Sequence, residues 1–525
     1  YGQTALYTGD RQVNDMGRVK RAAKNIAVGY ISNIATAVLG FVLRTVFIMR
    51  LNETLLGVNS LYSNILSMLS LAELGIGTAM NYSLYGPMAR GETEIIKSYM
   101  QLYRKAYRAI AAVIACVGLA LVPFLPNICK GASYLTRTQL TVYYLIFLFN
   151  TVSTYFVSYK YSLCLAEQKD YIQTNILMIT KAVTVLLQIA VVLLTSNFLL
   201  FLLVSAAVQL VQIFIANAYL NKLYPYLKDK NVKPLDAGSK EEVKTKTKAL
   251  MLHKIGDTAR LQTDAIIISS FINVTTVGIV DNYNLIINTI SGFVNIIFNS
   301  VITGFGNLIA TESEEKQFRA FNVYRFFAVW VYGFSAVGFY VLLTPLIQIW
   351  LHNDKWVLAP VIIGTVLTDY YFKGERVALM NYKTAAGIYE PDKYLSLIQG
   401  AVNLVLSIWL VIKVGLVGVY IGTVVSGLIA NVTKPVIVYK YCFHRSSKDY
   451  FIDSFKYILV MILELAILLP IKSVVMKNVT FTSFIIMFVI VCVVFNAVFL
   501  AFFGRTGECG YIFGVIKGKI IMRHG

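Results

Sequence analysis

The sequence predicts an all-α polytopic membrane protein with about fourteen transmembrane helices. Three observations carry that prediction: long apolar stretches at regular intervals, basic residues confined to alternate loops, and a second half that repeats the first. An apolar stretch of about twenty residues crosses the roughly 30 Å hydrocarbon layer as a helix. Such stretches lie near residues 25–49, 56–85, 105–127, 138–159, 172–195, 198–220, 249–272, 277–306, 324–350, 356–380, 394–412, 414–438, 454–471 and 480–503, and are numbered here as spans 1 to 14. With 57% hydrophobic and 14% charged residues, the chain has no material for a sizeable soluble domain.

Orientation follows from the lysines and arginines. The amino-terminal segment, the connections after even-numbered spans and the carboxyl-terminal segment, taken with the span ends that adjoin them (Lys105, Arg108, Lys254, Arg325, Lys373, Arg376 and Lys456), hold 36 of the 47. The odd-numbered connections hold seven: Arg50, Lys130, Arg137, Lys355, Lys413, Lys472 and Lys477. Cytoplasmic loops retain Lys and Arg, so both termini are expected in the cytoplasm. The net charge of +20 is then mostly a topology signal. The Lys-rich stretch from Lys222 to Lys248 reads as a solvated linker that touches anionic lipid, and nucleic-acid binding is not indicated. Residues 1–24 are polar and show no cleavable signal peptide; Met16 would serve as a start, with Tyr1 to Asp15 an extension.

Shifting the chain by 221 positions aligns Leu51–Ser70 with Ile272–Ser291, six of twenty positions being identical: Asn52/Asn273, Thr54/Thr275, Gly57/Gly278, Tyr62/Tyr283, Ile65/Ile286 and Ser70/Ser291. Ser60, Ser63, Ser67 and Ser70 on span 2 align with Asp281, Asn284, Asn288 and Ser291 on span 8, spaced so that each set shares one helix face. Spans 1 and 7 start from the same side, so two six-helix lobes of parallel topology are expected, pseudo-symmetric about a central path. The division is then 1–24, an N-terminal segment; 25–220, the N-lobe; 221–248, the basic linker; 249–438, the C-lobe; 439–503, spans 13 and 14; and 504–525, a cytoplasmic tail.

A polar helix face in lipid must meet water or another helix, which makes intramembrane ionisable groups candidates for function. Span 7 carries Lys254, Asp257, Arg260 and Asp264 at spacings of three, three and four. Snorkelling to the interface competes as an account of Lys254 and Asp257, whereas Arg260 and Asp264 lie deeper. Span 1 lines up Gly29, Asn33, Thr36, Gly40 and Arg44; close packing accounts for its small residues but not for Arg44. Span 5 presents Thr174, Lys181, Thr184 and Gln188 on one face. Span 10 presents Asp369, Lys373 and Arg376, the last two equally explicable as interfacial anchors. Glu73, beside Gly75 and Gly77, fits a structural bond as well as a site, and Glu464 stands alone in an apolar stretch. The candidate interior thus sets Arg44, Lys181, Lys254, Arg260, Lys373 and Arg376 against Asp264, Asp281 and Asp369, with Asn33, Ser63, Ser67, Asn284 and Asn288 as polar lining. The basic excess points to an anionic substrate, and the aspartates to a coupling H⁺ or Na⁺ if there is one.

Catalytic chemistry is not indicated. The six cysteines form no C-x-x-C pair and the four histidines are far apart, so no zinc, haem or other cofactor is expected. No phosphate-cradling P-loop and no H-E-x-x-H occurs. The reading is a transporter and not an enzyme. A non-transporting scaffold or a transferase of a polysaccharide assembly complex is the alternative of another class, and the polar faces on spans 1, 2, 7 and 8 argue against the scaffold.

The run from Leu39 to Pro87 (LGFVLRTVFIMRLNETLLGVNSLYSNILSMLSLAELGIGTAMNYSLYGP), the segment KTAAGIYEPDKY from Lys383 to Tyr394, and NLVLSIWLVIKVGLVGVYIGTVVS from Asn403 to Ser426 carry a family likeness. They resemble the polysaccharide-transport, Wzx-like flippases of the multidrug/oligosaccharidyl-lipid/polysaccharide (MOP) exporter superfamily. The resemblance implies alternating access in the bacterial cytoplasmic membrane. The substrate it implies is a polyprenyl-pyrophosphate-linked oligosaccharide, moved from the inner to the outer leaflet for cell-surface polysaccharide. It also implies a monomer in the bilayer that contacts a polymerase or glycosyltransferases. Arg44, Lys181 and Arg260 match the family's cationic cavity by type and depth. A lipid II flippase and a multidrug (MATE-type) cation antiporter are the rival transporters.

Overall fold

The computed structural model describes residues 28–70, 76–229, 231–388 and 390–521, apart from the side chains of 248–261 and a few others within helices. The expectations for residues 1–24 and Glu73 lie outside the described residues, and those for Lys254, Asp257 and Arg260 outside the described side chains. Among the described residues every regular element is helical, as the apolar stretches predict. Among the described residues, eleven helices are long and apolar enough to cross a membrane. The other three expected spans are 2, 7 and 10. Span 2 is described as α2 (Glu53–Leu69) and α3 (Ile76–Arg90), on either side of residues 71–75, which lie outside the described residues. Span 7 belongs to α9 (Ala237–Phe271), which carries Lys254, Asp257, Arg260 and Asp264. Span 10 is divided into α13 (Pro360–Glu375) and α14 (Val377–Ala385).

The chain folds as two compact units, Tyr1–Gly278 and Ile279–Gly525. The first contains α1 (Val28–Arg50), α2, α3, α4 (Thr93–Leu121), the one-turn α5 (Leu125–Ile128), α6 (Arg137–Ala166), α7 (Tyr171–Thr195), α8 (Phe198–Leu223) and α9. α6 packs on α4 and α8, while α9 lies against α2 and α3. Several starts are written in the sequence. Asn52 accepts from Leu55 N to cap α2, Thr136 and Gln139 close a capping box on α6, and Asn197 caps α8. The centre is built from tyrosines, with Tyr62 and Tyr144 in edge contact at 5.3 Å. A buried tyrosine needs a partner for its hydroxyl, and Tyr62 donates to Leu140 O at 3.1 Å.

The second unit receives α10 (Val274–Asn299), which begins in the first, and continues through α11 (Ile302–Thr311), α12 (Glu314–Leu351), α13, α14, α15 (Leu395–Val414), α16 (Leu416–Cys442), α17 (Lys448–Val475) and α18 (Phe481–Phe503) to α19 (Gly507–Ile521). The repeat is visible in element positions: α10 starts 221 residues after α2 (274 − 53), and α12 starts 221 after α4 (314 − 93). It is visible in bonding too, since Tyr283, the equivalent of Tyr62, accepts from Leu358 N at 3.0 Å just ahead of α13. α15 and α16 form a tight hairpin. Gly415 turns at φ +66°, and Gly418 and Gly422 lie so close to Leu410 and Ser407 that a Cβ would collide with them. Asn403 and Ser407 bond across to Thr423 and Val419, a polar seam of the kind that holds helices together in lipid.

Spans 13 and 14 are bound firmly to the repeat. α17 and α18 share with α12 a core of Phe326, Val460, Leu468, Phe495 and Phe499, and Trp330 stacks on Phe499 with ring centres 5.4 Å apart. Next to it, buried Arg325 donates to Tyr450 O at 2.8 Å and to Ser454 Oγ at 2.9 Å and lies 3.5 Å from buried Glu375; Ser454 Oγ in turn donates to Glu375. α19 is an element that the sequence reading missed, the region being expected as a plain tail; its Cys509 is fully buried in the same core.

The linker also differs from the expected solvated tether. Beyond α8, Tyr224 is buried and donates to Glu167 Oε2 at 3.0 Å, Lys97 pairs with Asp229 at 2.6 Å, and Ser98 Oγ donates to Lys233 O at 2.7 Å. Burial and the Glu167 carboxylate push the Tyr224 phenol well above its usual range, so it remains a donor. The first half of the linker is therefore docked on α4 and α6. Its end caps α9 through Asp236, which accepts from Ser239 N at 2.8 Å.

Candidate functional site

In the first unit, α2 has two faces. Leu61, Tyr62, Ile65 and Leu66 are buried, whereas Ser63 and Ser67 are exposed. Ser63 donates to its own helix at Asn59 O, 2.8 Å away, which leaves its oxygen lone pairs available. On α1, Asn33 and Thr36 are exposed and Arg44 is half-buried. Asp264 is half-buried on α9, the helix packed against α2. The polar face foreseen on span 5 is divided by its depth in the α7/α8 hairpin: Gln188 is buried and donates to Phe201 O at 3.1 Å, while Lys181 is exposed. For Lys254, Asp257 and Arg260 the described backbone places all three on α9.

In the second unit, α10 repeats the pattern of α2. Asp281 and Asn284 are half-buried, and Asn288 is exposed one turn further along. Asn295, also on that helix, accepts from Tyr332 OH at 2.8 Å. The face foreseen on span 10 has two fates. Lys373 pairs with Asp369 one turn away at 2.6 Å, an i,i+4 bridge. Arg376 is buried at the junction of α13 and α14, where it donates to Gly427 O at 2.7 Å and to Asn431 Oδ1 on α16.

Three buried charged groups were not singled out by sequence reasoning. Lys160 on α6 is 5% exposed, with its ammonium on Asn217 Oδ1 at 2.5 Å and Asn221 Oδ1 at 2.6 Å. The i,i+4 asparagines on α8 were the available signal. Arg325 with Glu375 is the second case. In the third, Lys383 pairs with buried Asp392, and Lys434 lies 3.8 Å from the same carboxylate; the isolated charge at Lys434 within span 12 was the hint. Among the described residues no group of three His, Cys, Asp or Glu side chains is arranged to hold a metal.

An apolar groove of about 170 Å³ also opens in the second unit, lined by Ile286 and Ile290 of α10, Phe334 and Leu342 of α12, and Phe484 and Phe488 of α18.

No protein-family profile matches the chain, and no curated protein does. Solved structures match in fold. One is a lipid II flippase, MurJ, in an inward closed conformation; it is 13% identical, with a TM-score of 0.64 over 91% of this chain and 99% of the flippase. Another is an inward-facing multidrug resistance MATE family transporter of the MOP superfamily, 12% identical, with a TM-score of 0.54 over 78% of this chain and 96% of that one. A Vibrio cholerae MATE transporter is 15% identical, with a TM-score of 0.50 over 82% of this chain and 99% of its own. The chain is a multi-pass membrane protein with the fold of MOP-superfamily transporters.

Proposed function

We propose that the protein is a flippase that carries polyprenyl-pyrophosphate-linked oligosaccharides from the inner to the outer leaflet of the bacterial cytoplasmic membrane by alternating access. The observation that carries this reading is a matched pair of helices. α2 and α10, equivalent in the repeat, both leave polar side chains exposed (Ser63 and Ser67; Asn288) along membrane-spanning segments, in company with intramembrane Arg44 and Lys181. Such faces are tolerated against water and not against lipid. A hydrated basic path replaces the water that a pyrophosphate and its sugars lose on leaving the cytoplasm. Guanidinium groups suit phosphate oxygens through paired hydrogen bonds, which a lysine cannot reproduce. The apolar groove between α10, α12 and α18 suits an isoprenoid tail. A coupling H⁺ or Na⁺ would act at Asp264, Asp281 or Asp369, the last of which pairs with Lys373. The excess of basic groups disfavours organic cations as substrates. The near-complete coverage of the MurJ fold keeps lipid II as the second reading.

The test is export. Arg44→Ala and Arg260→Ala should each abolish surface polysaccharide while the protein still reaches the membrane, and the Lys variants should restore it only in part. Normal export and normal binding of lipid-linked oligosaccharide by the double Ala variant would refute the anionic-path reading. Activity on lipid II alone would replace the substrate.

A further inference from the structure

The repeat brings equivalent residues into contact with each other. Thr54 Oγ1 and Thr275 Oγ1, 221 positions apart, lie 3.1 Å from one another. One turn on, a Cβ on Gly57 would stand 1.9 Å from Val274 O, and a Cβ on Gly278 would stand 2.8 Å from Gly57 N and 3.1 Å from Glu53 O. These contacts are mirror pairs, because Val274 is the 221-shifted equivalent of Glu53. The amino-terminal ends of α2 and α10 therefore approach to backbone distance along a local two-fold seam within the first unit.

Residues 128–136, between α5 and α6, cross this seam and are bonded to both sides of it. On the second-repeat side, Lys130 O accepts from Val274 N at 2.8 Å and Lys130 Nζ donates to Phe271 O at 3.2 Å. Ile128 O accepts from Ser269 Oγ at 2.5 Å, and Gly131, at φ +86°, lies against the Asn273 side chain. On the first-repeat side, Tyr134 OH donates to Asn52 Oδ1 at 2.6 Å, the oxygen that also caps α2. Cys129 is buried below with its thiol 3.5 Å from Tyr62 OH. The loop thus engages the helix caps Asn52 and Asn273, which are themselves equivalent in the repeat.

We propose that residues 128–136 form a strap that holds the α2/α10 seam shut, and that the strap releases each time this end of the protein opens. The proposal rests on the alternating-access reading, but its test uses no substrate. In a cysteine-free background reconstituted in lipid nanodiscs, the Thr54→Cys, Thr275→Cys pair should form a disulfide under copper-phenanthroline oxidation. Adding Lys130→Ala and Tyr134→Phe removes two side-chain bonds of the strap and leaves its backbone intact. Losing the two bonds, at about 1 kcal/mol each, should raise the population of the open form roughly thirtyfold, and cross-linking should slow as the closed form is depleted. A protein retaining Cys129 as its only thiol should be labelled by an impermeant maleimide faster by a similar factor when it carries the same two changes. Thermal unfolding of the variants checks that they remain folded. Unchanged cross-linking and unchanged Cys129 labelling would overturn the strap. Because opening is read without substrate, a wrong choice of oligosaccharide over lipid II leaves these results standing.

Discussion

Two loops at equivalent places in the repeat, residues 129–136 and 352–359, have the same length and different attachments. The second is held within its own repeat: Asn353 caps a short turn at Asp354–Trp356, Gln348 Nε2 donates to Asp354 Oδ1 at 2.9 Å, and Leu358 N donates to Tyr283 OH. The first reaches across the repeat to Phe271 and Val274. Helix placement is under common constraint in both halves, because lipid demands the same apolar lengths of each. A loop is under no such constraint, and one of the two is free to take on a clasping role. Asymmetry between pseudo-symmetric halves accordingly appears in connections more than in spans.

The largest effect expected on this comparison comes from widening the seam. Gly57→Val places a branched side chain against Val274 O, where even one carbon has no room, so the helices must separate. Overpacking costs about 1–3 kcal/mol. The 54/275 cross-link should be nearly lost, whereas Gly292→Val, on α10 where a Cβ meets nothing, should leave it unchanged. Cross-linking at normal yield in Gly57→Val would contradict the seam geometry.

A smaller effect separates the two anchoring tyrosines. Tyr283→Phe leaves the buried Leu358 N–H without its acceptor, at a penalty of about 1–3 kcal/mol. Tyr62→Phe removes a donor to Leu140 O, and a carbonyl tolerates the loss of one partner better than an N–H does. Thermal melts should therefore show Tyr283→Phe as the more destabilised variant, and the opposite order would mean that the tyrosines are not equivalent anchors.

The smallest effect is one of pH. Burial pushes the Cys129 thiol up to about 11. The thiolate is the reactive form, so with the strap engaged labelling of Cys129 should be slow at neutral pH and climb with pH towards that value. Releasing the strap should shift the whole profile to lower pH. A profile that already levels off near pH 9 in the unaltered loop would show that the thiol is not buried there.

Much of the architecture was legible in the sequence. The span positions, the repeat offset of 221 and the appended α17 and α18 all follow from hydropathy and self-similarity. The polar residues of spans 2 and 8 were legible as faces, but on α2 only Ser63 and Ser67 are exposed, and Ser60 of the same face is buried. Their partners were not legible. Asp369, Lys373 and Arg376 read as one stripe, yet α16 takes Arg376 while Lys373 pairs with Asp369. Lys160 read as a loop residue, and is buried because Asn217 and Asn221 lie on the helix packed beside it.

By itself the sequence determined that this chain crosses a membrane many times, in two related halves, with basic groups where lipid would not tolerate them. Those are consequences of the solvent acting on each stretch separately, and so can be read one stretch at a time. Only the tertiary structure decided which buried charges are consumed by neighbouring helices, that the linker docks on α4, that α19 folds into the core, and that one loop straps the seam. Each of these turns on a partner tens to hundreds of residues away, and a buried polar group is satisfied by whichever atom the packing brings within about 3 Å.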